Sequence, residues 1–239
     1  MHNAKYISRL LIILIASLLL SGCDTKDSQQ CQTFTEHLQQ HILSVPLMTA
    51  PPLTSPQEEA FGPYANNYKI LSDYGIASQH LMTGWPQHFN LMNKVYTAQF
   101  LLDYREDLAE LLETQQAAAL LLKKQFEHSQ EQYKKLELSG ELATTFQQAF
   151  DKTVAHPHEI ISRVVTTTGK ILNQEIEMAD FIKAQNARIE GPQGKYAIFP
   201  NPHDQQEYSK KVKALVANMK ELSMAGQQIQ ETVGISATE

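Results

Sequence analysis

Apolar residues recur at every third or fourth position along most of this chain, which is the spacing of amphipathic α-helices. The first apolar stripe consists of Phe34, Leu38, Ile42 and Val45. Pro46 ends this stripe, and residues 46–56 contain four prolines. Because proline fixes φ and lacks a backbone N–H, the segment is predicted to be an extended loop.

A second helix is predicted to begin at Ser55, with Ser55 as N-cap, Pro56 at the first helical position and Glu58 closing a capping box. The Gly62-Pro63 pair is expected to bend its first turns, and Gly-Trp-Pro at 84–86 to end it. Its apolar and aromatic stripe consists of Phe61, Tyr64, Tyr68, Leu71, Tyr74 or Gly75, Ser78, Met82 and Trp85.

The longest predicted element runs from about Gln87 to Leu138 and has the three-four alternation of a coiled coil. Its stripe consists of Leu101, Tyr104, Leu108, Leu111, Gln115, Ala118, Leu122, Phe126, Ser129, Tyr133 and Leu136. Lys123 and Glu127 are four residues apart and are expected to form an ion pair on the outer face. The lysines of this helix are typical of a solvated face rather than of a binding patch.

A short helix is predicted around Phe146, and His156-Pro157 is expected to interrupt the chain before another long helix. The stripe of that long helix consists of Ile161, Val165, Thr168, Leu172, Ile176, Ala179 and Ile182. The helical pattern then stops at a Gly-Pro-Gln-Gly turn, residues 191–194, flanked by alternating side chains. This change of period predicts a small β-hairpin near 187–199.

Asn201-Pro202 marks the start of the last helix, whose stripe is the most regular in the chain. It consists of Tyr208, Val212, Leu215, Met219, Leu222, Gly226, Ile229 and Val233. Leu215 is expected to face the interior, and Lys211 beside it to be solvated. Together these patterns predict an all-α fold, an elongated bundle of about six helices with one small hairpin, in a single domain at 31–236.

The N-terminus has the layout of an export signal. Lys5 and Arg9 precede an apolar run at residues 10–20, and the run closes with Leu20-Ser21-Gly22-Cys23. The run is too short for a membrane-spanning helix, which needs about 20 residues. The pattern therefore predicts a signal peptide at 1–22, and the last four residues resemble the lipobox of bacterial lipoproteins.

A lipobox makes Cys23 the lipidation site, where several acyl chains such as palmitate would form a stable anchor. Residues 23–30 are polar and are expected to be the tether between anchor and domain. Asp24 follows the cysteine, and an acidic residue there favours retention in the inner membrane in enterobacterial lipoproteins. We expect the protein on the periplasmic face of the inner membrane, with the outer membrane as the alternative.

The composition and the motifs point away from catalysis and from nucleic acids. The formal net charge of the 239 residues is −6, whereas nucleic-acid binders need a basic face. The chain contains no GxSxG, HExxH or GxGxxG motif. We therefore expect no enzyme activity, no catalytic residue and no cofactor.

Histidines give the best case for a metal site. His37 and His41 lie one helical turn apart, and His156, His158 and Glu159 lie at a helix start. Neither set has an evident further ligand at a standard spacing, so solvated or capping histidines are the preferred interpretation and no metal is expected. Cys31 has no CxxC partner and is expected to be a partly buried thiol.

Several segments of the chain resemble the enterobacterial YiaF-like lipoproteins, a family of unknown function. The likeness rests on Phe61-Gly-Pro-Tyr-Ala-Asn-Asn-Tyr-Lys-Ile-Leu71, on 146–154, on the long helix after Pro157 and on Ile198-Phe-Pro200. It covers most of the chain after the signal peptide but matches 86–138 poorly. The resemblance implies a lipoprotein facing the periplasm and supplies no catalytic residue, substrate or cofactor.

Two binding functions remain. Long amphipathic helices and a tether favour an envelope lipoprotein that binds a periplasmic protein partner. The alternative is a module that holds a lipid or a cell-wall fragment in a groove between helices, near the aromatic residues from Tyr64 to Trp85. The simpler interpretation of these aromatic residues is that they belong to the hydrophobic core.

Overall fold

A computed structural model describes residues 26–82 and 97–233 of the chain. These residues are mostly helical, with one two-stranded antiparallel sheet, which confirms the all-α class and the hairpin. The predicted signal peptide, Cys23, Asp24, Trp85 and the predicted helix end at 84–86 lie outside the described residues.

The first helix, α1, spans residues 26–37 and continues as a π-helical turn at Leu38–Leu43. Its beginning therefore lies inside the segment 23–30 that the sequence suggests as a tether. Phe34, Leu38 and Ile42 of the predicted stripe are fully buried. Residues 47–54 then form an extended loop without regular structure, as their prolines predict.

The predicted second helix is two helices, α2 (Ser55–Phe61) and α3 (Tyr64–Met82). Gly62 separates them because its φ of +55° is left-handed and does not continue a helix. The N-cap is Thr54 rather than Ser55, and the backbone N–H of Thr54 donates to Gln57 at 2.9 Å. The predicted capping box is thus wrong by one residue: Thr54 and Gln57 form it instead of Ser55 and Glu58. The shift is possible because threonine can replace serine as N-cap and glutamine can replace glutamate at the third helical position.

The predicted long element also divides. Helix α4 spans Ala98–Asp103 and α5 spans Arg105–Lys134, with non-helical dihedrals at Tyr104 between them. The Tyr104 ring stacks on Phe100 at 4.7 Å. Helix α5 ends before the predicted Leu138, and its predicted ion pair between Lys123 and Glu127 is present at 3.8 Å.

The predicted interruption at His156-Pro157 does not occur. Helix α6 (Gly140–Phe150) leads through a π-helical segment (Asp151–Ala155) directly into α7 (His156–Ala184). Proline lacks an N–H and crowds the carbonyl four residues before it, here that of Thr153. The wider π-turn accommodates this conflict without ending the helix.

Strands β1 (Arg188–Glu190) and β2 (Tyr196–Ile198) pair in antiparallel register, with Ile189 opposite Ala197. The intervening turn uses Gly191 and Gly194, both with positive φ. The last helix, α8, spans Pro202–Val233, and Asn201 caps it by accepting the His203 N–H at 2.9 Å.

Helix α7 is the centre of the fold. It packs along α5 on one side and along α8 on the other, and α4 and the π-segment also contact it. Helix α3 lies against α5. One continuous core joins these contacts to an aromatic cluster around α1, so the elements form a single packed domain.

Candidate functional site

The predicted lipidation residue Cys23 and sorting residue Asp24 precede the first described residue by three and two positions. Among residues 26–82 and 97–233, no helix combines the length and the apolar character needed to cross a bilayer. The structure therefore describes the helical domain that follows the predicted anchor and not the anchor itself.

His37 and His41 lie side by side, with ring centroids 4.8 Å apart. His37 also packs on Phe61 at 4.9 Å and on Tyr68 at 5.5 Å. Burial, with a further effect of His41, lowers the pKa of His37 to about 4. A half-buried neutral imidazole among aromatic rings makes His37 an edge residue of the core.

The second histidine set is spread over different surroundings. His156 approaches Glu159 at 3.9 Å on the surface, whereas the His158 ring stacks on Phe126 of α5 at 3.8 Å. Burial lowers the pKa of His158. No group of three or more His, Cys, Asp or Glu side chains in the described parts of the chain could hold a metal ion.

The aromatic residues of α3 do not form one ligand-binding face. Tyr68 and Tyr74 are fully buried, and the Tyr68 hydroxyl donates to the Pro51 carbonyl at 2.9 Å. Tyr64 is half-buried and lies 3.4 Å from Asp27 at the start of α1. Tyr64 and Tyr68 therefore join α3 to α1 and to the loop, while Tyr74 is at a different site.

Tyr74 lines a pocket that we call the proline-loop pocket, with a volume of about 400 Å³. Loop residues 48–52 form one wall, residues 74–79 of α3 form the second, and Thr153, Pro157 and Ile161 form the third. The hydrogen bond from Tyr68 holds the loop on α3. The Lys152 ammonium donates to the carbonyls of Leu43 and Val45, and these hydrogen bonds hold the chain in place just before the loop begins.

The Tyr74 and Ser78 side chains are buried in this pocket wall, and among the described residues neither hydroxyl has a hydrogen-bond partner other than the other one. Burial raises the pKa of Tyr74 to about 12, and a hydrogen bond with the Ser78 side chain opposes the rise. A buried hydroxyl without a partner costs about 1–3 kcal/mol. Such atoms call for an explanation beyond packing.

The sequence does not reveal this pocket. Tyr74 and Ser78 appear there only as members of the α3 stripe, and the loop prolines appear only as helix breakers. The pocket exists because the loop at 48–52 folds back over the middle of α3. No local spacing of residues predicts such a contact.

Large apolar side chains are also exposed on the outer faces of two long helices. Leu120 and Leu121 of α5 are 53% and 54% exposed, and Val216 and Met224 of α8 are 59% and 53% exposed. Leu120 and Leu121 are adjacent, and Val216 and Met224 lie about two turns apart along α8. Apolar surface of this kind is a candidate contact for another protein.

Residues 10–230 match the sequence family described as "Protein of unknown function (DUF3053)". The chain belongs to this family. It is 25% identical over 243 residues to the protein named "Uncharacterized protein YiaF" in Escherichia coli strain K12, with all of both chains covered. The proteins of the same name in Escherichia coli O157:H7 and Shigella flexneri match equally. No solved structure matches significantly.

The family assignment confirms the resemblance to the YiaF-like proteins. Because neither the family description nor the names of the relatives state an activity, they add no substrate, partner or catalytic residue. Any function must therefore be argued from the residues and surfaces of this chain.

Proposed function

We propose that this chain is a lipoprotein of the cell envelope, anchored through Cys23, whose helical domain acts by binding a periplasmic protein partner. The observation that carries the proposal is Leu20-Ser21-Gly22-Cys23 directly after a short apolar run with a basic start. A triacylated cysteine would hold the domain firmly, since two or more acyl chains give a stable anchor.

The start of α1 supports a close attachment. Three residues span at most about 11 Å, so a lipidated Cys23 would keep residue 26 within that distance of the lipid. Gln30 of α1 lies against Gly62, and Asp27 lies beside Tyr64. In this arrangement the start of α1 and the junction between α2 and α3 lie together at the end of the domain that faces the membrane.

The two cysteines of the chain provide a matched pair of variants for the anchor. Expressed in full length, Cys23→Ala should lose incorporation of a labelled fatty acid and should leave the membrane fraction. Cys31→Ala should keep both, because Cys31 would not be acylated. Equal labelling of the parent and Cys23→Ala would contradict the proposal.

Asp24 tests the membrane in which the anchor resides. Because Asp24 follows the lipidated cysteine, the parent is expected in the inner membrane and Asp24→Ser in the outer membrane on a density gradient. A parent that bands with the outer membrane would contradict inner-membrane retention and leave the lipidation of Cys23 intact.

The exposed apolar residues on α5 and α8 support protein binding. A photoreactive amino acid at position 121 or 216 should give a discrete crosslinked species in cells. The same group at Gln116 or Ser209, which are exposed polar positions on the same helices, should give none. Identical crosslinking at all four positions would count against a specific partner surface.

A further inference from the structure

The proline-loop pocket has the dimensions of a small ligand site. Its volume of about 400 Å³ lies near the lower end of the range for small-molecule pockets, which is about 300–1,000 Å³. That size admits one short chain rather than two. Its walls come from three separate parts of the chain that hydrogen bonds hold in place, so the pocket is formed before any ligand arrives.

The polar groups of the pocket point to an uncharged ligand. Tyr74 is fully buried and Ser78 is 6% exposed, and among the described residues each hydroxyl has no hydrogen-bond partner other than the other one. No Asp, Glu, Lys, Arg or His belongs to the described residues that line it. A charged group would therefore lose its hydration without gaining a counter-charge.

Gly75 leaves the wall between these two hydroxyl residues open. Glycine inside a helix is less favourable than any residue except proline, yet nothing local requires it here. A Cβ at position 75 would meet only the Ala50 carbonyl oxygen, at 4.0 Å, which is an ordinary contact. The missing side chain contributes space to the pocket.

We propose that the proline-loop pocket binds a single-chain, uncharged amphiphile, such as a fatty alcohol or a monoacylglycerol. The chain would lie against the loop prolines and Ile161, and a terminal hydroxyl or ester group would hydrogen-bond with Tyr74 and Ser78. This site is distinct from the proposed anchor at Cys23 and from the exposed apolar residues of α5 and α8.

The test uses the full-length protein in its own membranes and an octanol derivative that carries a diazirine. After irradiation, mass spectrometry should find the label on peptides from 48–52, 74–79 or 153–161. Free 1-octanol should compete at concentrations at least tenfold below those of octanoate at pH 7, because only the alcohol is uncharged.

Four variants locate the site. Gly75→Leu should abolish labelling by filling the pocket, whereas Gly169→Leu, where a Cβ meets nothing within 4 Å, should leave it unchanged. Tyr74→Phe and Ser78→Ala should each weaken competition by 1-octanol about three- to tenfold through one lost hydrogen bond. Their melting temperatures should stay close to that of the parent, since each removed hydroxyl has only the other hydroxyl as a neighbouring partner in the free protein.

Three outcomes would overturn the proposal: labelling outside these peptides, labelling that survives Gly75→Leu, or equal competition by octanol and octanoate. Equal labelling of the same peptides by a diazirine-bearing diacyl phospholipid would overturn the single-chain assignment. Cys23→Ala should retain labelling of the pocket, which separates this result from the fate of the anchor.

Discussion

The aromatic cluster around α1 and the seam between α7 and α8 are built from the same helical spacing but differ in how many elements cover them. The Phe34 ring lies within 6.5 Å of rings from α2, α3 and α6. In contrast, α8 packs mainly against α7. Val212 and Met219 of its stripe are only half-buried, although Leu215 and Leu222 are buried.

This difference shows that regular spacing identifies the inward face of a helix but not the number of its neighbours. The α8 stripe is the most regular in the chain and forms a narrow contact with one helix. The α1 stripe is shorter and lies where four elements meet. The free energy contributed by each residue should therefore follow the surrounding elements rather than the regularity of the pattern.

Truncation in the aromatic cluster should have the largest effect. Phe34→Ala removes a ring that is fully buried among four others, so the free energy of unfolding should fall by about 3–5 kcal/mol. Urea denaturation measures this change. Glu36→Ala, two residues away on the exposed side, should change stability by less than about 0.5 kcal/mol. A loss below about 1.5 kcal/mol for Phe34→Ala would contradict the comparison.

Leu215→Ala tests the seam and should cost less, about 2–3 kcal/mol. A single facing helix can shift toward the space that the truncation leaves, which lowers the cavity cost within the usual range for buried leucines. Val216→Ala is the matched control, because Val216 is 59% exposed. If Leu215→Ala costs as much as Phe34→Ala, then the number of covering elements does not decide the effect.

Local rules in the sequence account for most of the fold. The 3.6-residue period gives the helices, the Gly-Pro-Gln-Gly turn gives the hairpin, and Asn201-Pro202 gives the start of α8. The sequence prediction is wrong in two kinds of place. In the first, two neighbouring residue pairs can both form a capping box, as at Thr54. In the second, the backbone can relieve a local steric conflict in two ways. Pro157 is such a conflict, because a break and a π-turn both relieve it.

The candidate site was less accessible from the sequence. Sequence spacing groups the histidines and the aromatic residues into candidate sets, but His158 stacks on Phe126 of α5, and Tyr68 and Tyr74 are core residues. The proline-loop pocket depends on contacts between the loop, α3 and α7. Such contacts between segments distant along the chain leave no periodic signal.

The pH dependence of stability should also distinguish the two regions. His37 belongs to the aromatic cluster, and its pKa falls from 6.5 to about 4 on folding because of burial and, secondarily, His41. Below pH 6.5 the unfolded chain binds a proton that the folded chain excludes. The stability contributed by neutral His37 is thus present above pH 6.5 and is lost as the pH falls toward 4.

We therefore expect the free energy of unfolding to decrease less between pH 7 and pH 4.5 in His37→Phe than in the parent. Urea titrations at several pH values measure this slope. His158, whose pKa burial also lowers, acts equally in both proteins. A parental slope in His37→Phe would contradict the assignment.

The smallest expected effect is at Lys211, beside the α8 seam. Its position suggests a solvated charge, but its ammonium lies 3.3 Å from Glu177 of α7 and 5.9 Å from the centre of the Phe181 ring. Because the pair is partly exposed, Lys211→Ala should cost only about 0.2–1 kcal/mol, and less at 1 M NaCl, where salt screens the charges. Lys213→Ala is the control and should be silent, because Lys213 is exposed and forms no ion pair with the described residues. A Lys211→Ala loss that exceeds that of Leu215→Ala would mean that charge, rather than apolar contact, holds α8 on α7.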